Sequence, residues 1–166
     1  MKNIWWIGLL VALPAVAQIP RNSSGLLEYT HDIQVNASTN AGLKERARTF
    51  FNQPFLVHWT SVSADSVSGT LVTGKGYLDI HIKNHYSSKR AIPVLLQLSI
   101  EVRGNSYRYI INHFTVNFKN AGLVFPLEEK PAAVESTTYD RLLKKTHERM
   151  GFIIDWLKRH MGNVQN

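Results

Sequence analysis

The sequence contains no cysteine. That excludes a disulfide framework, a thiol nucleophile, a thiolate metal site and a cysteine able to carry a lipid at a processed N-terminus. The Gly-x-Ser-x-Gly elbow of a serine hydrolase is absent, and so is the Walker pattern of a phosphate loop, which leaves those reaction classes without a focus. No apolar run reaches the roughly 20 residues a helix needs to span a bilayer. Negative charge is scarce: 12 Asp and Glu stand against 19 Lys and Arg, for a formal net charge of +7. Such a balance serves solubility and favours acidic partners, such as anionic lipid headgroups, acidic glycans or nucleic acid. What is present is globular: 44% of the 166 residues are hydrophobic, enough for one domain with a substantial core.

The first 17 residues have the pattern of an export signal. Lys2 supplies the positive start, Ile4 to Leu13 the apolar stretch, and Ala15-Val16-Ala17 the small-residue cleavage site. Cleavage after Ala17 would leave Gln18 first and, with Lys2 removed, a net charge of +6. The expected product is a soluble exported protein, periplasmic or secreted, with no transmembrane segment in the mature chain. Export disfavours nucleic acid as a partner. Residues 18–26, with Pro20 and Asn22-Ser23-Ser24-Gly25, read as a flexible leader to a single domain over 27–162, followed by a tail at 163–166.

The most legible stretch runs from Pro93 to Phe118. Gly104-Asn105 is a Gly-first hairpin signal, and a two-residue loop there sets Val102 opposite Tyr107, Ile100 opposite Tyr109 and Leu98 opposite Ile111 on one apolar face. The same register sets Glu101 opposite Arg108, Gln97 opposite Asn112 and Leu95 opposite Phe114 on the other face. Apolar residues occupy odd positions through Ile111 and even positions at Phe114, Val116 and Phe118, so a bulge is expected near Asn112-His113.

Upstream, Leu27, Tyr29, Ile33 and Val35 alternate with polar residues as a half-buried strand does, His31 interrupting the apolar face. Ser38, Thr39 and Asn40 offer caps for a helix carrying Leu43, Ala47, Phe50 and Phe51, with Lys44, Glu45, Arg46 and Arg48 largely on its other side. A short strand over Phe55 to Val62, with Val57 and Trp59 on one face, leads through Ser63-Ala64-Asp65-Ser66 into a second over Thr70 to Ile82. Val72, Leu78, Ile80 and Ile82 there share a face with Gly74 and Gly76, which implies a bend or the close approach of a helix. Lys83 to Ile92 reads as a polar connection. Residues 119–138 are irregular, broken by Pro126 and Pro131, with Leu123-Val124-Phe125 available for a short edge pairing. A final helix begins near Tyr139 with Leu142, Leu143, Met150, Ile153, Ile154, Leu157 and Met161 as its apolar stripe, expected to cover Leu96, Leu98, Ile100 and Val102.

Chemistry-bearing residues are present without a constellation. His81 and His85 have the i, i+4 spacing of a helical metal site but fall on a strand running into a loop, where they do not converge. His31 and His113 read as polar strand residues with local hydrogen bonds. Gly74-Lys75-Gly76 reads as strand, and Glu128-Glu129 as solvated loop charge. Tyr107-Arg108-Tyr109 is either a contact surface or, more economically, two packed tyrosines with Arg108 answering Glu101. No catalytic, cofactor-binding or metal-ligating residue is assigned.

Three stretches resemble a family: His31-Asp32-Ile33-Gln34-Val35 leading into the Leu43-to-Phe51 helix, the Gly69-to-Ile82 strand, and the Ser99-to-Tyr109 hairpin with its Tyr-Arg-Tyr. Together they are similar to the domain of unknown function with a TATA-binding-protein-like fold that recurs in exported Bacteroidetes proteins. Ser106 stands where that family usually has a basic residue, and Phe50-Phe51 where it commonly has Trp-Phe. The resemblance implies an α+β domain in the order strand, helix, four strands, helix: a curved antiparallel sheet of about five strands with two helices on one face. It carries over no catalytic residues. The function expected is a non-catalytic binding or accessory module of the periplasm or cell envelope, its partner an envelope protein, a glycan or an anionic surface. The alternative is an enzyme of unrecognised type with a polar site at the sheet edge.

Overall fold

The computed structural model describes residues 19–36, 38–53, 56–65, 69–83, 89–118 and 122–162. Its elements are β1 (Tyr29–Gln34), α1 (Asn40–Phe50), β2 (His58–Ala64), β3 (Leu71–Lys83), β4 (Lys89–Arg103), β5 (Ser106–Phe118), β6 (Leu123–Pro126) and α2 (Ser136–Gly162). The strands form one curved, unclosed antiparallel sheet in the order β1-β5-β4-β3-β2. β6 adds to the same side of β5 as β1, so the two short strands lie end to end along one long one.

The β4–β5 hairpin has the register its turn dictates, from Arg103 opposite Ser106 through Gln97 opposite Asn112. Beyond that pair the register shifts, and Leu95 lies opposite Thr115, not Phe114. The bulge expected at Asn112-His113 is the cause, marked by a left-handed backbone at His113 (φ 56°). One extra residue swaps the parity of those after it, turning Phe114, Val116 and Phe118 into the core.

The connection before this hairpin is shorter than the sequence indicates, because Lys89 to Ile92 already pair with Ile80 to Lys83. Pro93 lies inside β4, paired with Asp79. Among the described residues β5 joins β4 only from Val94 onward, so the proline sits where β4 has one neighbour and a missing N–H is tolerated. Arg21 bridges Leu27, and the Asn22 side chain accepts from the Ser24 and Leu26 amides at 3.0 Å each. The expected cleavage site, Phe55, His85 and the tail lie outside the described residues.

Alternation in β3 and β4 builds the core. Every even-numbered residue from Val72 to Ile82 and from Ile92 to Val102 is buried, while their odd-numbered neighbours are exposed or half-exposed wherever their side chains are described. Both helices supply the opposing layer. Thr39 caps α1 by accepting from the Gly42 amide at 3.1 Å, and Leu43, Ala47 and Phe50 face inward. α2 starts three residues before Tyr139 and packs against β3, while α1 packs against β4, so both helices share the cover of this face. Ile153 is buried and Ile154 only partly so.

The two helices lock together through polar groups. Arg46 donates to the Met161 carbonyl at 2.7 Å, a cation at the carbonyl-rich end of α2, and His160 Nε2 donates to the Arg46 carbonyl at 2.9 Å. Arg46 is therefore a joint between helices, not part of a solvated face. Near the middle of α2, His147 Nδ1 hydrogen-bonds Tyr29 of β1 at 2.9 Å.

Candidate functional site

α1 and α2 cover one face, and among the described residues no helix covers the opposite face of the sheet. A cavity of about 440 Å³ lies on it, lined by Thr60 and Ser61 of β2, Lys75, Gly76 and Tyr77 of β3, Leu95, Leu96 and Gln97 of β4, and His113 and Thr115 of β5. Four adjacent strands contribute, so the cavity follows from the pleat and its irregularities more than from any loop.

Two bulges shape it. Between Trp59 and Ser61 the β2 register shifts, and the Thr60 hydroxyl donates to the Lys75 carbonyl at 3.0 Å. The second bulge, at His113, projects an exposed imidazole among the lining residues while Phe114 turns inward. A non-glycine residue with positive φ is uncommon, and bulges re-aim side chains near binding and catalytic sites. The cross-strand pairs Lys75 with Gln97 and Tyr77 with Leu95 form the floor. His58 stacks on Tyr77 with ring centroids 5.0 Å apart and an interplanar angle of 27°, holding the phenol ring in place. Leu95 is 41% exposed and adds apolar surface beside Tyr77. Among the described residues no carboxylate lines the cavity, and Lys75 brings a positive charge to it.

Beyond the cavity, charged side chains cluster where β1 meets the hairpin. Arg108 binds Asp32 through two donors at 2.9 and 2.7 Å, and Arg103 binds Glu101 likewise at 2.8 and 2.7 Å. Arg108 and Glu101 are opposite in register, but their ion pairs go elsewhere, which corrects the simple cross-strand pairing. Hydrogen bonding to the guanidinium holds each carboxyl below its usual range. Tyr107 and Tyr109 are buried, so the Tyr-Arg-Tyr triplet is two core residues and an ion pair.

The remaining candidates separate. His31 is exposed on β1 opposite Tyr109, and His81 is exposed on β3. Among the described residues no three His, Asp or Glu gather as a metal site would require. Gly74-Lys75-Gly76 is strand, and its glycines make room for rings. A Cβ at Gly74 would lie 2.3 Å from Phe51, and one at Gly76 would lie 2.6 Å from the His58 carbonyl. Glu128 is more than loop charge: it accepts from the Leu27 amide at 3.0 Å, linking the end of β6 to the start of β1. Sequence reasoning did not assemble the open-face cavity. Its signals were Tyr77 and Leu95, large residues at outward positions of strands whose inward parity is plain, and His113 at the parity switch.

No helix among the described residues is long and apolar enough to cross a membrane. Neither a family model nor a curated protein matches this sequence. Solved structures do match its fold. A DUF4468 family protein from Bacteroides ovatus superposes with a TM-score of 0.68 at 12% identity, covering 91% of this chain and 94% of that one. A TBP-like protein from Parabacteroides distasonis gives 0.69 at 9% identity, covering 89% and 99%. With its curved antiparallel sheet backed by two helices, the chain has the α+β TATA-binding-protein-like fold of these two Bacteroidetes neighbours.

Proposed function

We propose that the protein is a non-catalytic binding module of the cell envelope, exported after cleavage behind Ala17, whose ligand surface is the open face of the sheet. The observation that carries this reading is the composition of the cavity. Thr60, Ser61, Gln97 and Thr115 supply hydroxyl and amide groups, Tyr77 and Leu95 supply apolar surface, Lys75 supplies positive charge, and no carboxylate is present among the described lining residues. A hydroxyl-rich ligand bearing negative charge, such as an acidic glycan, matches each of these groups. The enzyme alternative fits less well, because a hydrolytic site needs a paired acid and base and, among the described lining residues, no carboxylate accompanies His113.

Two measurements test the reading. N-terminal sequencing of exported material should begin at Gln18, whereas intact protein starting at Met1 in the membrane fraction would contradict export as a soluble module. Binding of acidic and neutral oligosaccharides should be compared between the natural chain and Lys75→Glu or Tyr77→Ala. Acidic sugars are expected to bind the natural chain and to lose at least about tenfold in affinity with either variant at unchanged melting temperature. Equal binding by all three proteins would remove the ligand from this face, and turnover of the sugar would favour the enzyme.

A further inference from the structure

β2 stops pairing with β3 at His58 opposite Tyr77. Among the described residues, 78–83 of β3 therefore pair with β4 alone, leaving one edge of the sheet open along six residues. Beside that edge runs the middle of α2. Between them is a crevice of about 270 Å³ lined by Ile80, His81, Lys145, Glu148, Arg149 and Phe152. Phe152 is 58% exposed, and Lys145 and Arg149 form no ion pair among the described residues.

An open edge is a row of backbone donors and acceptors, which sheets elsewhere cover or blunt. Here it adjoins a pocket with two unpaired cations and an exposed aromatic ring. We propose that this edge is a docking site for an extended acidic segment of a partner protein, which adds as a strand beside 78–83 in line with β2. Main-chain hydrogen bonds to β3 supply affinity, and the pocket supplies specificity. Side chains two residues apart on the added strand point the same way, so one enters between Lys145 and Arg149 while the next meets Phe152 and Ile80. The segment recognised thus has an acidic residue and an apolar residue separated by one position. Glu148 lies between the two cations in sequence and disfavours a second acidic residue there. This site is separate from the open-face cavity, and no residue lines both.

The test uses the full chain and a synthetic peptide of Glu-Thr-Val-Thr repeats, which places glutamate and valine on one face of a strand. The peptide is expected to bind, to slow amide hydrogen exchange at 78–83, and to bind more weakly as salt rises. Lys145→Glu with Arg149→Glu should weaken it by about tenfold or more, with no effect on oligosaccharide binding at the open face. N-methylation of alternate peptide amides should abolish binding, a control that needs no protein variant. Failure of the peptide to bind would overturn the proposal, and so would binding that survives N-methylation without protecting 78–83. Binding only to phosphatidylglycerol vesicles, lost on Phe152→Ser, would overturn it in favour of a membrane contact.

Discussion

The Phe51 ring occupies the space that a side chain at Gly74 would need. A Cβ there would sit 2.3 Å from Phe51 Cε1 and 3.1 Å from Trp59 Cε3. The last turn of α1 can lie this low on β3 only because the strand has no side chain at that point. Gly74→Ala should cost about 1–3 kcal/mol through overpacking, read as a lower denaturation midpoint. Gly151, exposed in α2 with nothing within 4 Å of where a Cβ would sit, should behave in the opposite way. Gly151→Ala should stabilise by about 0.5–1 kcal/mol through helix propensity alone.

Two buried tyrosines make a second contrast. The Tyr139 hydroxyl donates to the Leu127 carbonyl at 2.7 Å, whereas the buried Tyr107 hydroxyl has no partner among the described residues. Tyr139→Phe leaves a buried carbonyl short of a donor and should cost about 1–3 kcal/mol. Tyr107→Phe should be neutral or stabilising. Urea denaturation of both variants checks the difference, and equal losses would contradict it.

How far these features are legible in the sequence depends on whether the cause is local. The parity switch after Asn112 exposes the bulge because a strand's side chains alternate strictly, and the Gly104-Asn105 turn sets the hairpin register. Both causes lie within a few residues. Reading the hairpin alone pairs Arg108 with Glu101, but its partner Asp32 lies on β1, whose place beside β5 is set by a long crossover. The glycines of β3 signal close approach without naming Phe51, since that depends on where α1 ends. The open-face cavity escapes a sequence reading because four strands contribute to it and none carries a motif.

The α2 stripe is legible in outline, but Leu143 and Ile154 are only partly buried and the buried Thr146 is not among its apolar residues. Ile153 is 1% exposed and Ile154 only partly buried. Ile153→Ala should cost about 2–5 kcal/mol, Ile154→Ala distinctly less, and substitution of exposed Lys158 least of all. Thermal unfolding of the three variants gives the order, and a larger loss at 154 would mean that the helix is rotated.

Acid should weaken the protein through its exposed ion pairs. Arg108 holds the Asp32 carboxyl low and Arg103 does the same for Glu101, so both have folded values beneath their unfolded ones. Their contribution is complete above the ordinary carboxylate range of about 4 and is lost as pH falls through the depressed folded values. Solvent screening keeps it small. Stability measured below about pH 4 should fall less steeply in Asp32→Asn than in the natural chain, and the difference should shrink in high salt.

The end-to-end placement of β1 and β6 on β5 also bears on the order of folding. β6 reaches β5 through a short connection, whereas β1 must wait for α1, β2, β3 and β4 to be spanned before its partner exists. Closing the longer loop costs more chain entropy, so the segment made first should join the sheet last. In pulse-labelled refolding, amides of residues 97–102 should gain protection before those of 30–34. Until β1 arrives, half of the outer edge of β5 would stand uncovered, which makes the tyrosine that opens β1, and its bond to His147, a marker of completed assembly.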